Sequence, residues 1–154
     1  MRPMSDRARE RAEEAEPARV ALRQLGVCEV CARRNLLPGD LAVHEIANGP
    51  LRQKALDLTY AVLVVCRHPD FRSQTDCHRT VQNEQEARQL ARICVFRPWD
   101  YNLPAYLHLT RPAAPRRISE AEVSHEMARL LADPKFRQAA VRFLASSAVR
   151  PSLR

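Results

Sequence analysis

The sequence predicts a small α+β fold, and three observations carry that expectation. Two cysteine pairs bracket an apolar hairpin, Cys28 and Cys31 before it and Cys66 and Cys77 after it. Between them lie two stretches with strand character, "LAVHEI" at 41–46 and the β-branched "AVLVVC" at 61–66. On either side the apolar residues switch to helical spacing. A length of 154 residues suits one domain with a terminal arm.

Residues 5–25 read as an N-terminal helix that Ser5 can cap and that Pro17 breaks or restarts. The first half of this arm has almost no apolar face. A turn at Pro38-Gly39-Asp40 leads into the first strand, and "NGPLRQKALDLTY" reads as a loop and a short helix before the second. After Cys77-His78, the run "RTVQNEQEARQLARICVF" carries apolar side chains at 87, 90, 91 and 94, one helical stripe that Pro98 ends. "DYNLPAYLHL" reads as a short helix packing Tyr101, Leu103, Tyr106 and Leu107, followed by a Pro-rich linker, "TRPAAPRR". Ser119-x-x-Glu122 is a capping box that opens a helix to about 132. Asp133-Pro134 starts the last helix, with Phe136, Ala140, Phe143 and Leu144 inward. The organisation expected is an arm at 1–25, a core at 26–95 and a helical extension at 96–154.

Composition narrows the function classes. Only 5% of residues are aromatic, so the core is modest and a metal staple would support it. No run reaches 18 apolar residues and the N-terminus is charged, which predicts a cytoplasmic chain with no membrane partner. Net charge is +7, with 23 Arg against 2 Lys. Residues 1–19 balance five Arg with five acids, whereas residues 111–154 hold nine basic residues against four acids. A basic C-terminal half suggests a polyanionic partner.

The cysteines, at 28, 31, 66, 77 and 94, are odd in number, which favours metal-bound thiolates over a disulfide framework. Zinc takes four soft ligands at tetrahedral corners, and a hairpin can bring Cys28, Cys31, Cys66 and Cys77 to them. Ten residues separate Cys66 from Cys77, and His68 in that loop is a competing fourth ligand. Cys94 reads as a buried thiol in a helix, and His108 and His125 as packed or surface histidines.

In chain order, "CEVC", the strand end "VHEI", "AVLVVC" and "CH" opening a helix resemble the HNH endonuclease family, over residues 26–78. The downstream run looks similar to tails of phage and bacterial HNH-like proteins. The resemblance implies a zinc-knuckled ββα-metal core and cleavage of phosphodiester bonds in DNA. By position in the motif, His44 and His78 would hold a catalytic divalent metal, Mg2+ or Mn2+, and Glu45 would stand where the family has its general base. Glu45 departs from the family, which has histidine there, and the second cysteine pair departs in its spacing. The alternative is a degenerate module that binds nucleic acid or a protein without cutting. Arg52 and Lys54, on the hairpin loop, are candidate phosphate contacts. Double-stranded DNA is the expected partner, and cutting both strands with one site per chain would call for a homodimer.

Overall fold

The computed structural model describes residues 5–47, 54–70, 75–110 and 118–146. The order of elements is α1 (Asp6–Gln24), β1 (Leu41–Glu45), β2 (Val62–Cys66), α2 (Asp76–Gln82), α3 (Glu86–Phe96), α4 (Leu103–Thr110), α5 (Glu120–Leu131) and α6 (Pro134–Leu144). Among the described residues the fold is α+β, with six α-helices and one two-stranded antiparallel sheet.

The β1–β2 register pairs Leu41 with Cys66, His44 with Leu63 and Glu45 with Val62. β1 alternates buried and half-buried residues, as a half-covered strand should, while β2 is buried from Val62 through Val65. The sheet therefore has both faces covered at β2. Leu22 of α1 joins Leu41, Val43, Val62 and Val64 on one side, and Leu63 and Val65 join the main core on the other.

Three boundaries differ from the sequence reading. α1 runs through Pro17 without a break. A proline inside a helix removes one hydrogen bond and costs about 3 kcal/mol. Burial of Leu22 and the contacts of Arg19 with β1 hold the second half in line. The helix expected from Arg79 to Phe96 is two helices, because the chain turns at Asn83 and is extended at Gln85. The Asn83 amide donates to the Arg79 carbonyl at 3.0 Å, closing α2 where a non-capping residue would have let it continue. Finally, the stripe predicted on α3 ended at Cys94, which is only half-buried, while Ile93, Val95 and Phe96 are buried. α3 packs against β2, α5 and α6, so a single-face pattern understates its burial.

Two predicted helix starts are found as expected. Ser119 and Glu122 form a reciprocal capping box, and Asp133 accepts from the Lys135 and Phe136 N–H groups. Phe136 and Phe143 of α6 meet Phe96 edge-on, with centroids 5.4 and 5.9 Å apart, so the C-terminal helices close over the far end of α3. No helix among the described residues is long and apolar enough to cross a membrane.

Candidate metal centre and adjoining groove

Cys28 and Cys31 lie on a tight loop after α1. The Ala32 N–H donates to the Cys28 carbonyl and the Cys28 N–H to the Arg33 carbonyl, at 2.9 and 3.0 Å. The loop enters at Gly26, whose φ of +70° suits glycine and where a Cβ would press to 3.1 Å on the Leu36 carbonyl. It leaves Cys31 through Ala32 at φ 61°, a left-handed conformation that alanine adopts at a cost. Cys66 ends β2, and Cys77 is the second residue of α2. The Thr75 hydroxyl donates to the Cys66 carbonyl at 2.8 Å and accepts from the His78 N–H as the N-cap of α2.

Four sulfurs thus converge, all within 4.8 Å of one another. A tetrahedral zinc with bonds of about 2.3 Å sets its sulfurs roughly 3.8 Å apart. The Cys31–Cys66 sulfurs are 3.7 Å apart. Without a cation the four thiols crowd one another. A hydrogen bond with Cys31 lowers Cys28, yet the Cys77 sulfur and burial outweigh it and push that thiol up to about 12. Cys31 is raised by its bond to Cys28 and by burial, and Cys66 by burial and by the Cys31 charge. A dication would turn this mutual repulsion into coordination, so the donor set is compatible with a zinc site. Cys94 stands apart from the cluster. His68 is exposed and also outside it, its Nδ1 accepting the Asp70 N–H at 3.0 Å.

The knuckle is locked from behind by residues that the sequence reading passed over. Glu29, inside the Cys-x-x-Cys motif, and Arg97, just after α3, are both fully buried. Arg97 uses all five of its donors. Nε and Nη2 bond the two Glu29 oxygens at 2.5 and 3.2 Å, Nη2 also bonds the Val62 carbonyl, and Nη1 bonds the Thr59 carbonyl and Asp100. Glu29 in turn accepts the Val64 N–H at 2.8 Å. One turn earlier, Arg92 donates to the Glu29 and Val30 carbonyls and pairs with Glu84 at 2.6 Å. A buried ion pair is tolerated only when its remaining polar groups are satisfied, and here they are. The only sequence signal was a carboxylate between two metal-type cysteines, which says that a partner is needed but not where it lies.

β1 sends neighbouring side chains to opposite faces. The His44 ring meets the His78 ring of α2 edge-on, with centroids 5.1 Å apart. Glu45 pairs with Arg19 of α1 at 3.1 Å, and Arg19 also donates to the Val43 carbonyl. His44 and His78 line a groove of about 620 Å³ with Gln82, Gln85, Glu86 and Glu122. Glu45 also contributes to its wall, but one of its carboxylate oxygens is taken by Arg19. No Lys or Arg is among the described residues of this groove. Its acids are engaged structurally: Glu84 by Arg92 and Arg88, Glu86 by the Tyr106 hydroxyl, Glu122 by Ser119. The Gln89 carbonyl oxygen, in the same wall, is the one buried side-chain acceptor without a donor among the described residues. Lys54 is exposed beside Arg11 and Glu14 of α1, outside the groove, and Arg52 lies outside the described residues. His108 and His125 are exposed.

The chain matches no protein-family model, no curated protein and no solved structure.

Proposed function

We propose that this chain is a metal-dependent endonuclease of the HNH, ββα-metal type, acting on double-stranded DNA. Cys28, Cys31, Cys66 and Cys77 would hold structural zinc, and His44 and His78 would hold a catalytic Mg2+ or Mn2+. The observation that carries the reading is the meeting of the His44 and His78 rings at the mouth of a groove, one from the end of a strand and one from the start of the helix that follows the hairpin. Strand, strand and helix are stapled by the four cysteines. A bound dication supplies Lewis-acid stabilisation of a phosphodiester and its leaving oxygen. The chain's own part is to orient the two imidazoles and to offer Glu45 at the base position.

The ion pair with Arg19 favours a second reading. A carboxylate, with a reference pKa of about 4.3, is a weak base at neutral pH, and one Glu45 oxygen is already engaged. Together with a groove that presents no described cation to a phosphate, this supports a zinc-stapled module that binds without cutting.

Nicking of supercoiled plasmid separates the two. The endonuclease reading expects nicking with Mg2+ or Mn2+, suppression by chelator, and loss of nicking in His44→Ala and His78→Ala with helix content and zinc unchanged. Glu45→Gln should slow it by about two to four orders of magnitude. Intact, zinc-loaded protein that binds duplex and never nicks it selects the second reading.

A further inference from the structure

α6 buries Phe136, Ala140 and Phe143 against the core, packs Leu144 half-buried beside them, and exposes its other large side chains. At 100° per residue, Gln138 and Val141 lie along the crest of the exposed face. Lys135 and Arg142 run along one flank, and Arg137 along the other. All five are exposed, and Val141, at 60%, is one of only two large hydrophobics so exposed among the described residues. Beyond the capping Asp133 the helix carries no acid. None of the three cations pairs with a carboxylate among the described residues; the Arg137 guanidinium donates to the Leu131 carbonyl, at 3.4 Å.

We propose that α6 is a reading helix for the major groove of duplex DNA, separate from the histidine groove. The shape and the chemistry agree. A single helix about 10–12 Å across fits a groove about 12 Å wide, whereas an acidic peptide is better held in a concave slot. Cations on both flanks face the two phosphate walls, and the crest faces the base edges. There a glutamine amide pairs two-fold with adenine and an aliphatic side chain packs on the thymine methyl. This gives exposed Val141 a use that a phosphate-only surface would not. The major groove of duplex RNA is too narrow to admit the helix, so the expected partner is DNA with A·T pairs in the site.

The test is fluorescence anisotropy on the zinc-loaded full chain, without added Mg2+ or Mn2+. The probes are labelled duplexes of about two turns, roughly 20 base pairs, in A·T-containing and all-G·C versions. Duplex RNA and polyglutamate serve as controls. The triple variant Lys135→Gln, Arg137→Gln, Arg142→Gln should weaken every duplex alike. It should reduce the slope of log affinity against log salt by about three units, roughly 0.9 per lost phosphate contact. The double variant Gln138→Ala, Val141→Ala should keep the slope and narrow the preference for A·T-containing duplex. Circular dichroism and zinc content should be unchanged in both variants. An unchanged slope in the triple variant, no DNA binding at low salt, or equal binding of duplex RNA overturns the proposal. Displacement by polyglutamate at matched charge also overturns it and assigns the face to an acidic protein. No cleavage is read, so a protein that never nicks can still bind through α6, and one that nicks can still fail this test.

Discussion

The two halves of the candidate site are built to different standards. Around the cysteines the polar groups are accounted for: Arg97 spends five donors, Glu29 accepts from both Arg97 and the β2 backbone, and Arg92 ties the loop's carbonyls to α3. Around the histidines the wall holds a buried Gln89 oxygen without a donor, and acids whose described bonds serve the scaffold. A buried network that is complete specifies one geometry, because each unmade bond would cost about 1–3 kcal/mol. A groove with spare acceptors is where a ligand can still add bonds. The contrast places the completed polar network on the cysteine side and the unfilled acceptor on the histidine side.

That contrast breaks most decisively at the four-cysteine cluster, where the proposed zinc would sit. Cys28→Ser should leave the chain poorly folded, since structural zinc contributes on the order of 10 kcal/mol or more to domains of this kind. Elemental analysis of protein purified without added metal should find about one zinc per chain. A well-folded, metal-free sample would show that the clamp alone holds the knuckle.

The clamp comes next. Arg97→Met or Glu29→Gln should each cost about 3–5 kcal/mol in urea denaturation of the zinc-loaded protein, because either leaves a buried polar partner stranded. The double change Glu29→Met, Arg97→Met should cost less than the sum of the two single changes, although the Val64 N–H and the Thr59 and Val62 carbonyls lose their partners as well. A loss in the double variant equal to the sum of the two single losses would mean that the pair is not a unit.

Smaller again is the strap between α1 and β1. Arg19→Met should cost about 1–2 kcal/mol, since the pair is only partly buried and its partner carboxylate stays on the sheet. It should also change any nicking rate by releasing Glu45 from Arg19, a readout that no merely structural strap would move.

The smallest effect expected is at Glu126. Burial opposes its charge, yet Arg88 and Arg129 together hold its carboxyl below the ordinary value of 4.5. With the folded value lowered, its contribution is complete above about pH 4.5 and fades as pH falls through the folded value. Glu126→Gln should therefore lower Tm by roughly 1–2 °C at pH 7 and by less at pH 3, given partners that are partly open to solvent.

Much of the fold was legible because its signals are local. The alternation of β1, the β-branched run of β2, the Ser119 capping box and the Asp133-Pro134 start all depend on residues within a few positions of one another. The failures were equally physical. Pro17 looked like a stop because propensity cannot see Arg19 reaching β1, and one long helix was expected because the Asn83 amide was not recognised as a cap. The α3 stripe reads as one-sided because the spacing of apolar residues along the chain does not count how many neighbours will cover it.

The sequence by itself determined the donors: which cysteines are paired, that His44 stands near the end of the first strand, and that His78 follows the last paired cysteine. Spacing and period are properties of the chain, so these follow without knowing its path. Only the tertiary structure decided what each donor meets. It closed the ten-residue gap through Thr75, set Arg19 on Glu45, and carried Arg97 across 68 positions to Glu29. Such pairings depend on which helix crosses which loop. A buried charge advertises its need for a partner in sequence, but the partner's identity is a matter of packing.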